Sequence, residues 1–318
     1  MSTKDWSRFL LLGLLWGTSF LWIKIALAEV SPLVLVGFRT LSGALGLLVV
    51  IALTRLQLLR WREIKPWLGP FILVGLFNVA IPFLLISWAE QYIDSAIASI
   101  LNATVPLFSI LLAPLLVHDD RWSVPKLLGL LVGFVGVIVL FSPELLGKSS
   151  QSLVGQAAML GATCSYALGA ILARRGGRGL DPRSQSFLQL GSATVMVWAL
   201  TLIIERPIRL PHLPITWFAL LWLGLLGSCL AYILYFSLIH SIGPTRTTTV
   251  TYLLPLIGVI LGATFLGERL HWTDLAGGML ILSGVIVVNT PGLIARWLKG
   301  GITLKPESPA PIDKNADE

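Results

Sequence analysis

Ten apolar stretches, each close to 20 residues long, constrain this chain more than any other feature of its sequence. A helix of about 20 apolar residues crosses a hydrocarbon core of about 30 Å, and backbone in lipid must satisfy its hydrogen bonds internally. The stretches therefore predict an all-α integral membrane protein with ten transmembrane helices. Their predicted bounds are 8–28, 33–53, 67–89, 95–117, 125–141, 154–173, 185–204, 215–239, 246–267 and 273–290.

The composition excludes a soluble globular protein. Charged residues make up 12% of the chain, about half the share of an ordinary soluble domain, and 55% of the residues are hydrophobic. The first stretch resembles a cleaved signal peptide because Ala26-Leu27-Ala28 mimics a cleavage site. Its apolar run is longer than the apolar core of a signal peptide, which has roughly 7 to 15 residues, and it contains Lys24. The stretch is therefore predicted to be a membrane span.

The basic residues predict the orientation in the membrane. When connections are assigned alternately to the two sides, 17 Lys and Arg residues share the side of the N-terminus and four lie opposite. Positive connections stay in the cytoplasm, so both termini are predicted to be cytoplasmic in a cell inner membrane. The net charge of +7 is then a topology signal and does not indicate nucleic-acid binding. The Pro-rich tail at 291–318 is predicted to be disordered cytoplasmic chain.

An internal repeat is visible at a period near 149 residues. Pairs at this spacing, or one residue to either side of it, are Gly75 and Gly224, Ile93 and Ile242, Pro106 and Pro255, Pro32 and Pro182, and the Gly-Val-Ile-Val runs at 136–139 and 284–287. Two five-helix units are therefore predicted, at 1–142 and 154–290, joined by an external linker at 143–153. An odd number of crossings inserts the second unit upside down relative to the first, as in many transporters.

Motifs spread over both repeats resemble those of the EamA-type transporters of the drug/metabolite transporter superfamily, over roughly residues 8–290. The matching features are Trp16-Gly17, Pro32 followed by Arg39, Ala96 to Ser99 leading to Pro106-Leu107-Phe108, Gly243-Pro244, Pro255-Leu256, Gly267-Glu268 and Gly284. The resemblance implies a ten-helix secondary carrier, often an exporter of amino acids or other small metabolites. The sequence departs from the pattern at His118-Asp119-Asp120 and at Gln189, which stands where an arginine would match Arg39.

Two matched prolines point to a central site. Pro106 and Pro255 each lie about 10 residues into a helix, or roughly 15 Å deep at 1.5 Å per residue, which is near the bilayer midplane. A helix proline frees the carbonyl four residues earlier, and such backbone is tolerated only against protein or a wet cavity. The alternative is a simple packing kink. The polar side chains beside the predicted breaks, which favour the cavity, are Asn102, Thr251 and Tyr252.

Other polar or aromatic residues fall near the middle of predicted helices. Trp16, Asn78 and Tyr232 are the candidates for substrate binding in this group. Each could instead hydrogen-bond a neighbouring helix with little net gain in stability. Asn78 is the strongest candidate, because its amide cannot satisfy itself along a helix and needs a partner or water.

Three charged residues form a predicted cluster in the outer quarter of the membrane: Lys24, Arg39 and Glu90. An ionisable residue inside a membrane is costly to bury, so each of the three is a candidate functional residue. The structural alternative is that Lys24 extends to the external headgroups while Arg39 forms a salt bridge with Glu90. Lys24 could otherwise hold a substrate carboxylate or belong to an outer gate.

Glycine spacings and acidic residues have structural explanations. Gly129 and Gly133 fit the small-xxx-small spacing, with Gly277-Gly278 comparable, so both pairs are interpreted as helix packing within a monomer, with a homodimer face as the alternative. Glu268 and Asp274, which precede or open the tenth helix, are interpreted as helix caps.

The absence of catalytic and nucleotide-binding motifs from the sequence narrows the range of possible functions. No metal ligand set, cofactor motif or catalytic motif is present, and the only phosphate-loop lookalike, at Gly147-Lys148-Ser149, has Ser142 where the first glycine belongs. An intramembrane enzyme would have to use Cys164 with His240, and a receptor or scaffold would not need matched midplane prolines. The predicted function is alternating-access transport, with export, of an amino acid or a similar amphipathic compound. A cationic drug exporter is the alternative, although the first helix lacks a carboxylate.

Overall fold

The computed structural model describes residues 1–54, 61–116, 123–147, 149–176 and 181–289, and within them the chain is helical with no strand. This confirms the predicted all-α fold. The helices follow one another as α1 (Thr3–Gly17 and Ser19–Ala26), α2 (Pro32–Leu53), α3 (Trp61–Gly75, Leu76–Ala80 and Ile81–Ala89), α4 (Ser95–Asn102 and Val105–Leu116), α5 (Val124–Leu145), α6 (Ser150–Gly176), α7 (Pro182–Ile204), α8 (Pro214–Leu221, Trp222–Leu230 and Ala231–Ile242), α9 (Pro244–Thr248, Thr249–Tyr252 and Leu253–Phe265) and α10 (Trp272–Asn289).

The helices match the ten predicted stretches. Within the described residues, nine of them are long and apolar enough to cross a membrane, and the apolar part of α10, Trp272–Val288, is shorter. Helix α5 extends to Leu145 and α6 begins at Ser150, so their connection is shorter than the segment 143–153 assigned from sequence. The predicted tail at 291–318 and the His118-Asp119-Asp120 segment lie outside the described residues.

Side chains that join helix ends define two faces of the bundle. Arg183 at the start of α7 donates to Thr54 at the end of α2. We call this side the N-terminal face, because α1 also starts there. Ser31 before α2 donates to Glu205 after α7 on the opposite side, which we call the distal face. Helices α2 and α7, which hold the same place in the two repeats, therefore run in opposite directions, as inverted repeats require.

Glycines let α5 and α10 approach closely at two symmetric points. A Cβ on Gly129 would lie 2.6 Å from the carbonyl oxygen of Gly284, and a Cβ on Gly277 would lie 2.8 Å from that of Gly136. The repeat period relates Gly129 to Gly277 and Gly136 to Gly284, so each contact is the image of the other. The small-residue stripe therefore packs helices within one chain.

A second pair of contacts follows the same symmetry. Gly75 in α3 packs on α7, where an added Cβ would lie 2.8 Å from the carbonyl oxygen of Gln189. Gly224 in α8 packs on α2, where an added Cβ would lie 2.9 Å from the carbonyl oxygen of Arg39. These approaches bring α2, α3, α7 and α8 together around the centre of the bundle.

Candidate functional site

A cavity of about 350 Å³ lies between the two repeats at the centre of the bundle. It extends from Ile23 and Ile86, one turn before the distal ends of α1 and α3, to the exposed Thr248 near the start of α9. The aromatic residues that line it are Trp16, Phe20, Phe83, Tyr166, Tyr232 and Tyr235. Its polar lining consists of Ser19, Arg39, Asn78, Asn102, Ser109, Thr248 and Thr251 together with the tyrosine hydroxyls. A mostly apolar wall with six aromatic rings and a few polar groups suits a small amphipathic ligand.

Both proline-containing helices are interrupted beside this cavity. In α4 the first segment ends at Asn102, and the N–H groups of Ala103 and Thr104 bond carbonyls three residues back instead of four. In α9 the tight helical stretch Thr249–Tyr252 separates two α-helical segments. Each break comes just before the proline, because the ring clashes with the carbonyl four residues earlier. Asn102 and Thr251, beside the breaks, line the cavity.

A pair of widened π-helical segments, not predicted from the sequence, also reaches the cavity. One is Leu76–Ala80 in α3 and the other is Trp222–Leu230 in α8. Asn78 and Gly227, which are 149 positions apart, bring these two segments to the cavity wall. Asn78 Nδ2 donates to Gln189 Oε1 of α7 at 3.0 Å, which supplies the partner that its amide needs. Such π-helical turns often occur at functional sites.

Arg39 is the charged residue of the described cavity wall, and only 5% of its surface is exposed. Its Nε donates to Ser228 Oγ at 3.3 Å, and its guanidinium lies 3.8 Å from the centre of the Phe83 ring. The salt bridge that we expected between Arg39 and Glu90 is absent from the described ion pairs. The guanidinium is therefore held by an aromatic ring and a hydroxyl, without a carboxylate within 4.0 Å.

The Lys24 side chain hydrogen-bonds backbone carbonyls at the distal face. Its ammonium donates to the carbonyl oxygens of Glu90 at 2.6 Å and Ile93 at 2.7 Å, where α3 ends. A cation at the C-terminal end of a helix satisfies free carbonyls and complements the helix dipole. Lys24 is not part of the described cavity wall. These bonds disagree with an ammonium at the external headgroups or in the cavity, and a role of Lys24 in an outer gate stays a prediction.

Glu90 is fully buried beside this lysine bond. Its exposed fraction is 0%, and both of its carboxyl oxygens accept no hydrogen bond in the described part of the chain. The three predicted cluster members thus lie on neighbouring helices without pairing through their charged ends. What joins Lys24 to Glu90 is the backbone carbonyl of the glutamate.

Carboxylates near the helix ends also accept hydrogen bonds from backbone N–H groups at the distal face. Glu268, after α9, accepts from the backbone N–H groups of Ser95 at 2.8 Å and Ala96 at 3.0 Å, and so caps α4. We had expected Glu268 to cap α10, a role that Asp274 fills by accepting from the His271 N–H at 2.7 Å. Burial, reinforced by the charge of Glu268, raises the pKa of Asp94, which stands before α4.

A further loop carboxylate secures α8 at the same face. Glu29 accepts from the backbone N–H of Leu213 at 3.1 Å, next to the first residue of α8. The Thr216 hydroxyl and the backbone N–H groups of His212 and Leu213 hydrogen-bond this carboxylate, which lowers the pKa of Glu29. At the distal face, α1 is thereby tied to α3 and α8, and α9 is tied to α4.

The structure brings most of the predicted site residues to the cavity. Those that line it are Trp16, Arg39, Asn78, Asn102, Pro106, Tyr232 and Thr251. Tyr252 packs instead on α10, where its hydroxyl donates to the Val285 carbonyl at 3.4 Å. Pro255 is buried in α9 outside the described wall, so the expectation that both prolines face the cavity is wrong for Pro255.

Phe83 and Tyr235 are cavity residues that sequence reasoning missed. Tyr235 follows Tyr232 by three positions, a spacing that puts both rings on one helix face and could have indicated it. Phe83 carries no such signal. It is one of many apolar residues in its stretch, and only the packing of α2 against α3 places it under Arg39.

These features define a multi-pass α-helical membrane protein made of two inverted five-helix repeats around a central cavity, an architecture found in secondary transporters. The chain belongs to the EamA-like transporter family, which matches residues 8–142 and 153–290.

Similar proteins span nearly the whole chain. The uncharacterized transporter YvbV of Bacillus subtilis is 30% identical over 92% of this chain and 94% of its own. The uncharacterized inner membrane transporter YedA of Escherichia coli is 29% identical over 87% and 88%, and protein PecM of Dickeya dadantii is 26% identical over 94% and 96%. One protein of known crystal structure shares the fold with a TM-score of 0.66 at 18% identity, over 94% of this chain and all of its own. A membrane transporter acts on a small-molecule substrate in a lipid bilayer.

Proposed function

We propose that the protein is a secondary transporter that exports a small amphipathic metabolite, such as an amino acid, by alternating access. One observation carries the proposal. The cavity between the repeats reaches the exposed Thr248 near the N-terminal face and stops beneath the tied helix ends of the distal face. A site that is closed on one side and reached from the other is what one state of an alternating-access carrier requires.

The charge distribution supports a cavity that opens toward the cytoplasm. The connections on the side of the N-terminus carry 17 of the 23 Lys and Arg residues, which favours a cytoplasmic N-terminal face. The C-terminus would then also be cytoplasmic, and the cavity would take up its ligand from the cytoplasm. Rocking of the repeats would break the distal ties and release the ligand outside.

The cavity wall favours an amphipathic metabolite over a cationic drug. Among the described residues that line it there is no Asp or Glu, and the charged one is Arg39. A cation would be repelled by this guanidinium and would find no carboxylate to offset the cost of its desolvation. The alternative of an intramembrane enzyme would have to use Cys164, which lies outside the described cavity wall. The side chain of its partner in that reading, His240, lies outside the described residues.

Transport is best tested with purified protein in proteoliposomes. Counterflow of a panel of radiolabelled amino acids should show uptake that depends on unlabelled substrate inside. The matched variants are Gly227→Trp, which fills the cavity, and Gly191→Trp, at a position where an added Cβ meets nothing within 4 Å. We expect the first to lose at least tenfold in rate and the second to stay near wild type. Equal rates in both variants would contradict transport through this cavity.

A further inference from the structure

Arg39 carries a buried positive charge that no described carboxylate pairs with. The residue lines the cavity, is 5% exposed and forms none of the described ion pairs. Placing an unpaired charge out of water is costly, and inside a membrane such residues normally face a partner or a pathway. Glu90 acts on Arg39 electrostatically from the end of α3 but lies beyond ion-pair distance.

The contacts of Arg39 hold the guanidinium without using its whole hydrogen-bonding edge. Nε donates to Ser228 Oγ at 3.3 Å, and Phe83 lies 3.8 Å away against the guanidinium face. Stacking on a ring fixes the plane of the group and leaves its edge for an acceptor. The terminal N–H groups of an arginine form a fork that matches the two oxygens of a carboxylate.

Asn102 provides a second and independent sign of a ligand. Its side chain lines the cavity at the break of α4, is 8% exposed, and its Oδ1 accepts no hydrogen bond in the described structure. A buried acceptor without a donor costs about 1–3 kcal/mol. A ligand with an N–H or O–H group would remove that cost, so the cavity presents both a cation and an unused acceptor.

We propose that Arg39 binds the carboxylate of a small monocarboxylate substrate, with a donor group of the same molecule at Asn102 and its apolar body on the aromatic wall. This inference deepens the proposed function and rests on it. A single guanidinium balances a single negative charge, whereas a phosphate monoester dianion would require a second cation that the described wall lacks. Because Arg39 lies toward the closed distal end, the bound anion would sit next to the gate through which it leaves.

Binding of three matched compounds tests the charge selectivity. The probes are 3-phenylpropionate, L-phenylalanine and 3-phenylpropylamine, which share a phenyl group and differ in charge. Calorimetry on the purified protein should give apparent Kd values for the two carboxylates at least tenfold lower than for the amine. Stronger or equal binding of the amine would overturn the proposal, as would binding of none of the three at millimolar concentration.

Variants at Arg39 separate a binding role from a structural one. Arg39→Gln, which copies Gln189 at the symmetric position, should weaken carboxylate binding at least tenfold and leave amine binding within about twofold. Ser228→Ala removes the hydrogen-bond partner of Arg39 Nε but keeps the charge of Arg39. This variant should therefore still prefer the carboxylates over the amine. Arg39→Lys should retain part of the affinity, and melting temperatures check that each variant is folded. Wild-type carboxylate affinity in Arg39→Gln, or equal losses for all three probes, would refute the assignment.

The anion site at Arg39 and the proposed transport function can be disproved separately. If the carboxylates bind through Arg39 but show no counterflow in proteoliposomes, the proposed function is wrong and the anion site stands. If Arg39→Gln transports the carboxylates at the wild-type rate, the anion site is wrong and the proposed function stands.

Discussion

The ammonium of Lys24 donates a 2.7 Å hydrogen bond to the backbone carbonyl oxygen of Ile93. This bond links the end of α1 to the loop that leaves α3, and a second bond reaches the carbonyl of Glu90. The lysine thus holds two helix ends together at the distal face, above the closed end of the cavity. Its position makes it a structural tie of the state in which the cavity opens at the opposite face.

Replacing Lys24 tests this role. Lys24→Met removes two charge-assisted bonds and should destabilise the folded protein by about 1–3 kcal/mol, seen as a lower melting temperature in detergent. Lys24→Arg should recover part of the loss, because it keeps the charge and the donors. Glu90→Gln should leave the tie intact, because the lysine bonds the backbone of residue 90. An unchanged melting temperature in Lys24→Met would contradict this structural role.

Glycine substitutions test the packing of α5 on α10. A Cβ on Gly284 would lie 2.5 Å from both the carbonyl oxygen of Gly129 and the nitrogen of Gly133, closer than a Cβ approaches non-bonded atoms. Gly284→Ala should therefore force the helices apart and cost roughly 1–3 kcal/mol. The matched control is Gly191→Ala, where an added Cβ meets nothing within 4 Å. Melting curves of the two variants should differ clearly, and similar curves would contradict the close approach.

The partly buried carboxyl group of Asp94 should make the stability of the folded protein depend on pH. Because burial raises the pKa of Asp94 in the folded protein, the folded state holds the proton more tightly than the unfolded state. Its contribution to stability must then fall as pH rises from the ordinary value of 3.8 through the raised pKa. Asp94→Asn lacks this loss, so its melting temperature should exceed that of wild type by an amount that grows across this range.

The charge of Glu268 offers a check on the same effect. Since it helps to raise the pKa of Asp94, a Glu268→Gln background should reduce the gain from Asp94→Asn. Glu268→Gln alone should lower stability, because it weakens the cap on α4. A gain from Asp94→Asn that is independent of pH would show that burial of the charge is not its cause.

Orientation in the membrane can be measured with single cysteines that react with an impermeant reagent in intact cells. Substitutions at Gly147 and Arg209 should label from outside, and substitutions at Lys65 and Arg183 should label only after lysis. The charge bias across the ten predicted spans requires this pattern. Labelling of any one site from the wrong side would contradict the count of ten crossings.

Arg39 and Gln189 show where sequence reasoning stops. The repeat identifies them as symmetric positions, and the loss of the arginine in the second half is visible in the letters alone. The side chains that each of them contacts cannot be read from the sequence. Gln189 pairs with Asn78 across α3 and α7, whereas Arg39 bonds Ser228 and stacks on Phe83, because two helices that pack symmetrically present different side chains at each crossing.

The sequence by itself determined the ten helices, their alternating directions and the interrupted positions beside Pro106 and Pro255. It could do so because span length, hydropathy and a missing backbone donor act locally along the chain. Only the tertiary structure decided that Lys24 bonds backbone carbonyls, that Glu268 caps α4 and that Pro255 and Tyr252 turn away from the cavity. Those outcomes depend on which helix faces meet, and contacts between residues far apart in sequence leave no periodic signal in the chain.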